Sequence, residues 1–331
     1  MVSGNLAYMT DYKTVRMIDI SSPTDPAEIG SFPTTGDATS IAVEGEIAYL
    51  MDDGTGMRVL NTTDPSAPRE TSLYFRPLAV ALRDDLALLT TSQGLRIIDL
   101  SIPTSPTMVG SFDTPVSGKD IAVVDDLAFH AEAYGLRIID ISDPATPNEV
   151  SYFPISGLVY SVAVLNDFAY VVQRSSSSTN LRVIDVGDPA TPSEVGWVSV
   201  GTGAAGRVAT AGDFAYVATG YDGIQVADVS NPAAPVHMAN LDTPGHAMDV
   251  VVAGSTAVVA DGLQGVRVLD ISTPSAPAEI ASHDTPGYAS SVTDAAGLVF
   301  AADDHAGMAI FSSCHLFSDG FESEDTSAWS G

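Results

Sequence analysis

Short apolar runs, each bounded by Gly, Asp, Asn or Pro, recur along the whole chain. Between Thr39 and Pro77 the pattern runs Ser40-Ile41-Ala42-Val43, a Glu44-Gly45-Glu46 turn, Ile47-Ala48-Tyr49-Leu50, then a turn from Asp52 to Gly56. Met57-Arg58-Val59-Leu60 follows, then the stiff segment Thr63 to Pro68, then Glu70-Thr71-Ser72-Leu73-Tyr74. Runs of this length, rich in β-branched and aromatic residues and closed by turn formers, predict four antiparallel strands. The apolar positions do not alternate cleanly, so both faces of each small sheet are expected to be covered.

The unit repeats. Aligned on one basic position, the copies carry Arg16, Arg58, Arg96, Arg137, Arg182, Gln225, Arg267 and Ala309, at steps of 42, 38, 41, 45, 43, 42 and 42 residues. A period near forty with four short strands per unit predicts an all-β propeller of four-stranded antiparallel blades stacked into one body. The eight second-and-third-strand hairpins imply eight blades, or seven if the first and last hairpins share one. On this reading residues 1–313 form the propeller and residues 314–331 a polar tail.

Phrases such as Leu136-Arg137-Ile138-Ile139-Asp140-Ile141-Ser142, Phe168-Ala169-Tyr170-Val171 and Asp242-Thr243-Pro244-Gly245 resemble the LVIVD-repeat family of bacterial and archaeal proteins, from about Asn5 to Ser312. The resemblance implies a secreted or surface-associated propeller and transfers no catalytic residues. The tail, Phe317-Ser318-Asp319-Gly320-Phe321-Glu322-Ser323 through Trp329-Ser330, is similar to the Asp-Gly-Phe-Glu-Ser-Gly…Trp-Ser terminus of exported bacterial proteins, with Glu324 where Gly is usual. Met1 to Tyr8 aligns with Ala42 to Tyr49, so the chain is expected to begin inside a first strand, with a signal peptide and a closing strand upstream.

Composition narrows the partners. Forty-two acidic residues against 13 basic ones give a formal charge of −29, which repels nucleic acid and anionic membranes. No apolar run is long enough for a membrane-spanning helix. Cys314 is the lone cysteine, so no internal disulfide forms. No cofactor is expected; calcium is compatible with the surplus of carboxylates, as is simple solubility. A monomer is expected.

Two repeated features read as structural. Proline pairs three residues apart, from Pro23/Pro26 to Pro274/Pro277, end one strand and stiffen the loop to the next, with the preceding Asp, Asn or Ser accepting backbone bonds. The arginines Arg16, Arg58, Arg96, Arg137, Arg182 and Arg267, with Gln225 in one unit, and Asp19, Asp99, Asp140, Asp185, Asp228 and Asp270 three residues after that position (Asn61 once), are expected to form a structural ladder. In it the arginines pair with carboxylates of their own or adjacent blades and cap the seams.

Candidate chemistry collects on the face that carries the second-to-third-strand turns and the interblade loops. Asp52, Asp53, Tyr134, Tyr221, Asp222, His246, His283, Asp303, Asp304 and His305 converge there as candidate ligand-binding residues, suited to a cation, a sugar or a protein surface. None of the six histidines has metal-ligand spacing, although His246, His283 and His305 come from neighbouring units. Gly201 to Gly206 spells G-x-G-x-x-G but precedes a strand, so it reads as an interblade turn. Arg174 to Asn180 reads as a flexible excursion of one hairpin. The function expected is an extracellular module that binds or scaffolds a protein or glycan without catalysis. The alternative is a polysaccharide hydrolase or lyase with carboxylates at the loop face or central channel.

Overall fold

In the computed structural model the backbone is described for residues 2–312, apart from 4–5, 12–13, 20–26, 34–37, 45–46, 53–55, 65, 75–76, 103–105, 285–287, 296–297 and 304–306, and side chains chiefly over 78–282. Every regular element among the described residues is a strand. The strands form eight antiparallel sheets in chain order: Val2–Pro33, Ala38–Tyr74, Pro77–Asp113, Gly118–Pro154, Leu158–Ser199, Val208–Leu241, Asp249–His283 and Ala289–Ser312. Among the described residues the first seven have four strands and the eighth three, and the first and last hairpins belong to different sheets. The innermost strands of sheets 3 to 8 touch in succession, as do those of sheets 1 and 2, and the second strand of sheet 1 meets the second and third strands of sheet 8. This is the ring of a β-propeller.

Local chemistry explains the repetition. In sheets 3 to 7 the tight turn after the innermost strand holds a left-handed residue: Asp84, Asp125 and Asn166 at φ 47°, 49° and 53°, replaced by Gly212 and Gly254 in sheets 6 and 7. Left-handed turns match the twist of a two-residue hairpin and favour Asn, Asp and Gly. A bulge interrupts each third-to-outer-strand pairing, as between Ile138 and Ile139 or Val183 and Ile184, adding twist toward the rim.

The core lies between sheets. Phe129, Leu136 and Ile138 of sheet 4 pack with Val159, Val162 and Ile184 of sheet 5, and Tyr216 and Val226 of sheet 6 with Val250 and Leu269 of sheet 7. The proline loops contribute to the same seams. A Cβ on Gly110 would lie 1.9 Å from the Pro144 carbonyl oxygen, and one on Gly196 2.4 Å from that of Pro232. Ser151 Oγ donates to the Pro189 carbonyl at 2.6 Å. The loops of sheets 4, 5 and 6 thus dock on a small residue in the outer strand of the preceding sheet, a role beyond the turn stiffening expected from sequence.

Candidate functional site

Arg96, Arg137, Arg182 and Arg267 of the ladder pair with carboxylates of their own sheets. Asp99, Asp140, Asp185, Asp228 and Asp270 accept the amide two residues on, at 2.8–2.9 Å. The hydrogen bonds from the following serine hold Asp99, Asp140, Asp228 and Asp270 below the usual aspartate range. A second turn follows, with Asp143 and Asp188 accepting from Ala145 and Ala190, as expected for residues ahead of the prolines.

Three of the arginines reach a glutamate twelve residues on. Arg137 meets Glu149, Arg182 meets Glu194 and Arg267 meets Glu279. Arg96 has Met108 at that position and pairs with Asp113 at 2.8 Å. In sheet 6 Gln225 faces His237 at 2.9 Å, a hydrogen-bonded pair where sheets 4, 5 and 7 have arginine and glutamate. The second partner of Arg137 is Glu132, which is fully buried and accepts from two guanidinium nitrogens. Burial pushes the Glu132 pKa up, but the adjoining His130 ring and the Arg137 guanidinium outweigh it, leaving the carboxyl below its ordinary range. Across the seams the arginines meet aromatic rings: Arg58 lies 4.8 Å from Phe32 and Arg137 5.9 Å from Phe112, each on the preceding sheet.

A polar network at the propeller axis escaped the sequence reading. Asp120 of sheet 4 accepts from Ser161 Oγ at 2.7 Å and the Val162 amide at 3.1 Å in sheet 5. Ser161 in turn accepts from the Val208 amide of sheet 6 at 3.3 Å, and Asp249 of sheet 7 from the Val292 amide of sheet 8 at 3.2 Å. Arg207 reaches past sheet 5 to Asp120 at 3.2 Å and lies 3.9 Å from Asp249. The Asp120 charge raises the Arg207 pKa against the opposing effect of burial, with Asp249 adding to the rise. The Arg207 side chain is 48% exposed while both aspartate side chains are nearly buried. Aspartate, serine and arginine differ in type from sheet to sheet, so repeat alignment gave no signal; only their shared place before each inner apolar run could have revealed them.

On the loop face the structure brings Tyr221, Asp222 and His246 together. Tyr221, 76% exposed, tips the turn of sheet 6, and the His246 ring meets it edge-on at 4.6 Å. Asp222 accepts from the Thr202 amide at 3.1 Å, which fixes the Gly201–Gly206 interblade turn. Gly220 pairs with Ala247, and Gly262 with Ala289, locking each turn to the next inner strand. A Cβ on Gly220 would come 2.9 Å from His246 Nε2. In the adjoining turn Asp261 is fully buried, accepting from Thr243 at 2.6 Å and the Gly245 amide at 2.9 Å; burial raises its pKa despite those bonds and Arg267.

Tyr134 stands apart on the turn of sheet 4, 53% exposed, its carbonyl accepting from Ile155. The strands place Asp52, His283 and Asp303 at strand ends, but their side chains lie outside the described residues, as do Asp53, Asp304 and His305 and the whole tail. Arg16 and Asp19 are placed by backbone only. Residues 175–178 form a turn closed by Ser175–Ser178 hydrogen bonds. Among the described residues no three His, Cys, Asp or Glu side chains form a group able to hold a metal.

Among solved structures, the chain resembles the computationally designed Ika8 protein (TM-score 0.74, 9% identity, 94% of each chain). It also resembles BamB from Moraxella catarrhalis (TM-score 0.67, 13% identity, 94% of this chain and 92% of that one). Sqt1 from Chaetomium thermophilum, solved bound to the N-terminus of the ribosomal protein L10, aligns at TM-score 0.72 and 14% identity over 93% of each chain. At these identities the likeness shows the fold alone. No curated protein matches by sequence. The LVIVD repeat model matches residues 1–34, 35–75, 80–114, 117–153, 156–200, 202–243 and 244–285, and with seven matched repeats the chain belongs to the LVIVD repeat family.

Proposed function

We propose that this eight-bladed propeller is a secreted or cell-surface module that binds and scaffolds a partner through its loop-bearing face, without catalysis. The observation that carries this reading is the exposure of large apolar tips, Tyr134, Tyr221 and Leu263, on second-to-third-strand turns of that one face. Exposed apolar side chains on a rigid frame suit recognition. The axial carboxylates argue against the enzyme alternative. A carboxylate pair for glycoside cleavage needs one member free to carry and donate a proton. Asp120 instead accepts from Ser161, Val162 and Arg207, which occupies it as an acceptor. Sqt1, a neighbour in fold, holds a terminal segment of another protein, which supports a protein partner over a glycan.

The test uses peptide and glycan arrays with the full chain and a Tyr134→Ser/Tyr221→Ser/Leu263→Ser variant. Ligands retained by the parent and lost by the variant are expected, with no cleavage products. Release of reducing ends or unsaturated sugars would sink the reading. The export assignment has its own test, since secretion unchanged by deleting residues 315–331 would remove the tail from it.

A further inference from the structure

We propose that the loop face over sheets 6 and 7 docks an extended, lysine- or arginine-rich segment of a partner protein; this rests on the loop-face reading above and narrows it. Charge supplies the first argument. Residues 201–284 contain nine acidic residues and two basic ones, a net charge of −7. Both cations are engaged: Arg207 with Asp120 and Asp249 at the axis, and the buried Arg267 with Asp261, Glu279 and Asp284. Among the described residues of this sector, none offers an uncommitted arginine or lysine to an anionic partner.

Shape supplies the second. Tyr221 presents most of its ring to solvent, with His246 edge-on behind it. Asp222 follows it in the chain. Asp242 is exposed on the adjoining loop, whose backbone abuts the same turn: a Cβ on Gly223 would lie 2.9 Å from Asp242 Cα. An open aromatic face rimmed by carboxylates favours a cationic side chain over a neutral or anionic one. Leu263, 71% exposed on the turn of sheet 7, offers the apolar neighbour that a lysine or arginine stem can cover.

Rigidity supplies the third. The Gly220–Ala247 and Gly262–Ala289 bridges and the Asp222 and Asp261 loop bonds hold the platform in place before any ligand arrives. Tips on neighbouring sheets can then meet successive side chains of one extended chain with little ordering on the protein's side.

The experiment is fluorescence anisotropy of three labelled decapeptides, (Lys-Ser)5, (Gln-Ser)5 and (Glu-Ser)5. They are titrated with the full chain and with Tyr221→Ala/Leu263→Ser, Asp222→Asn/Asp242→Asn and the rim control Trp197→Ser, each checked for folding by circular dichroism. Saturable binding of the lysine peptide is expected. It should weaken by about three- to tenfold or more in each loop-face variant, as loss of a cation–π or carboxylate contact implies, and stay unchanged in Trp197→Ser. Preference for the glutamine or glutamate peptide, lost in the loop-face variants, would overturn the cationic partner while leaving the loop-face reading standing. Equal lysine-peptide affinity in all variants would mean diffuse charge attraction and overturn the docking site. Absence of loop-face-dependent binding by every peptide would overturn the inference and leave the arrays to decide the broader reading.

Discussion

Arg137→Met removes the guanidinium that Glu132 faces while leaving a side chain of similar reach at the seam. Glu132 would then be a fully buried carboxylate with only the His130 ring, 3.5 Å away, for company. Breaking a buried ion pair by deleting one partner typically costs about 3–5 kcal/mol, mostly the penalty of the charge left behind. With an unfolding entropy of about 2.1 cal/mol/K per residue and 331 residues, that loss lowers the calorimetric midpoint by about 4–7 °C. The pH dependence identifies the cause. In the parent the Glu132 pKa is depressed, so its contribution is present above the unfolded value and lost as pH falls through the folded one. In the variant burial acts without Arg137 and the pKa rises, so the deficit relative to the parent should shrink on going from pH 8 to pH 5. Adding Glu132→Leu should recover part of the loss. A midpoint within about 1 °C of the parent, on that entropy scale under 1 kcal/mol, would refute the reasoning. So would a double variant less stable than Arg137→Met.

Gln225→Arg and His237→Glu should each destabilise sheet 6, and together restore a charged pair like Arg137–Glu149, with a coupling of about 0.5–3 kcal/mol in a double-mutant cycle; additive effects would break the twelve-residue pairing rule. Gly196→Ala forces a methyl against the Pro232 carbonyl and should cost about 1–3 kcal/mol in denaturant unfolding, the range for overpacking; an unchanged midpoint would mean the proline loop does not dock there. Acid titration of far-UV circular dichroism should show stability lost below about pH 4, because Asp99, Asp140, Asp228, Asp270 and Glu132 are all held below their ordinary values. Stability that rises between pH 5 and pH 3 would contradict those bonds.

The fold was legible because the chain aligns with itself. Turn formers at Asp125-Asp126 and Gly212-Asp213, small residues at Gly110 and Gly196, and strands between them recur where the same geometry recurs. The ladder was legible only in part. The repeat marked Arg137 and Asp140 as recurrent without naming the arginine's partner; Asp140 caps its own turn, and Glu149, which Arg137 meets, lies across an outer-strand bulge. Its twelve-residue spacing, seen also in Arg16/Glu28 and Arg58/Glu70, was present in the sequence but unused. The axial network was hidden for the opposite reason: Asp120, Ser161, Arg207 and Asp249 do different jobs at equivalent places, and repetition averages such differences away. On the loop face, spacing could place Tyr221 and His246 in neighbouring units, but their ring contact depends on Gly220 leaving room.

The most direct measurement is the hydrogen-exchange footprint of the lysine decapeptide on the full chain. Binding through the loop face predicts protection confined to residues 202–206, 219–223, 242–248 and 261–265, with the innermost strands unchanged. Protection centred on Gly118–Val124 and Asp249–Ala253 would move the site to the axis and contradict the account.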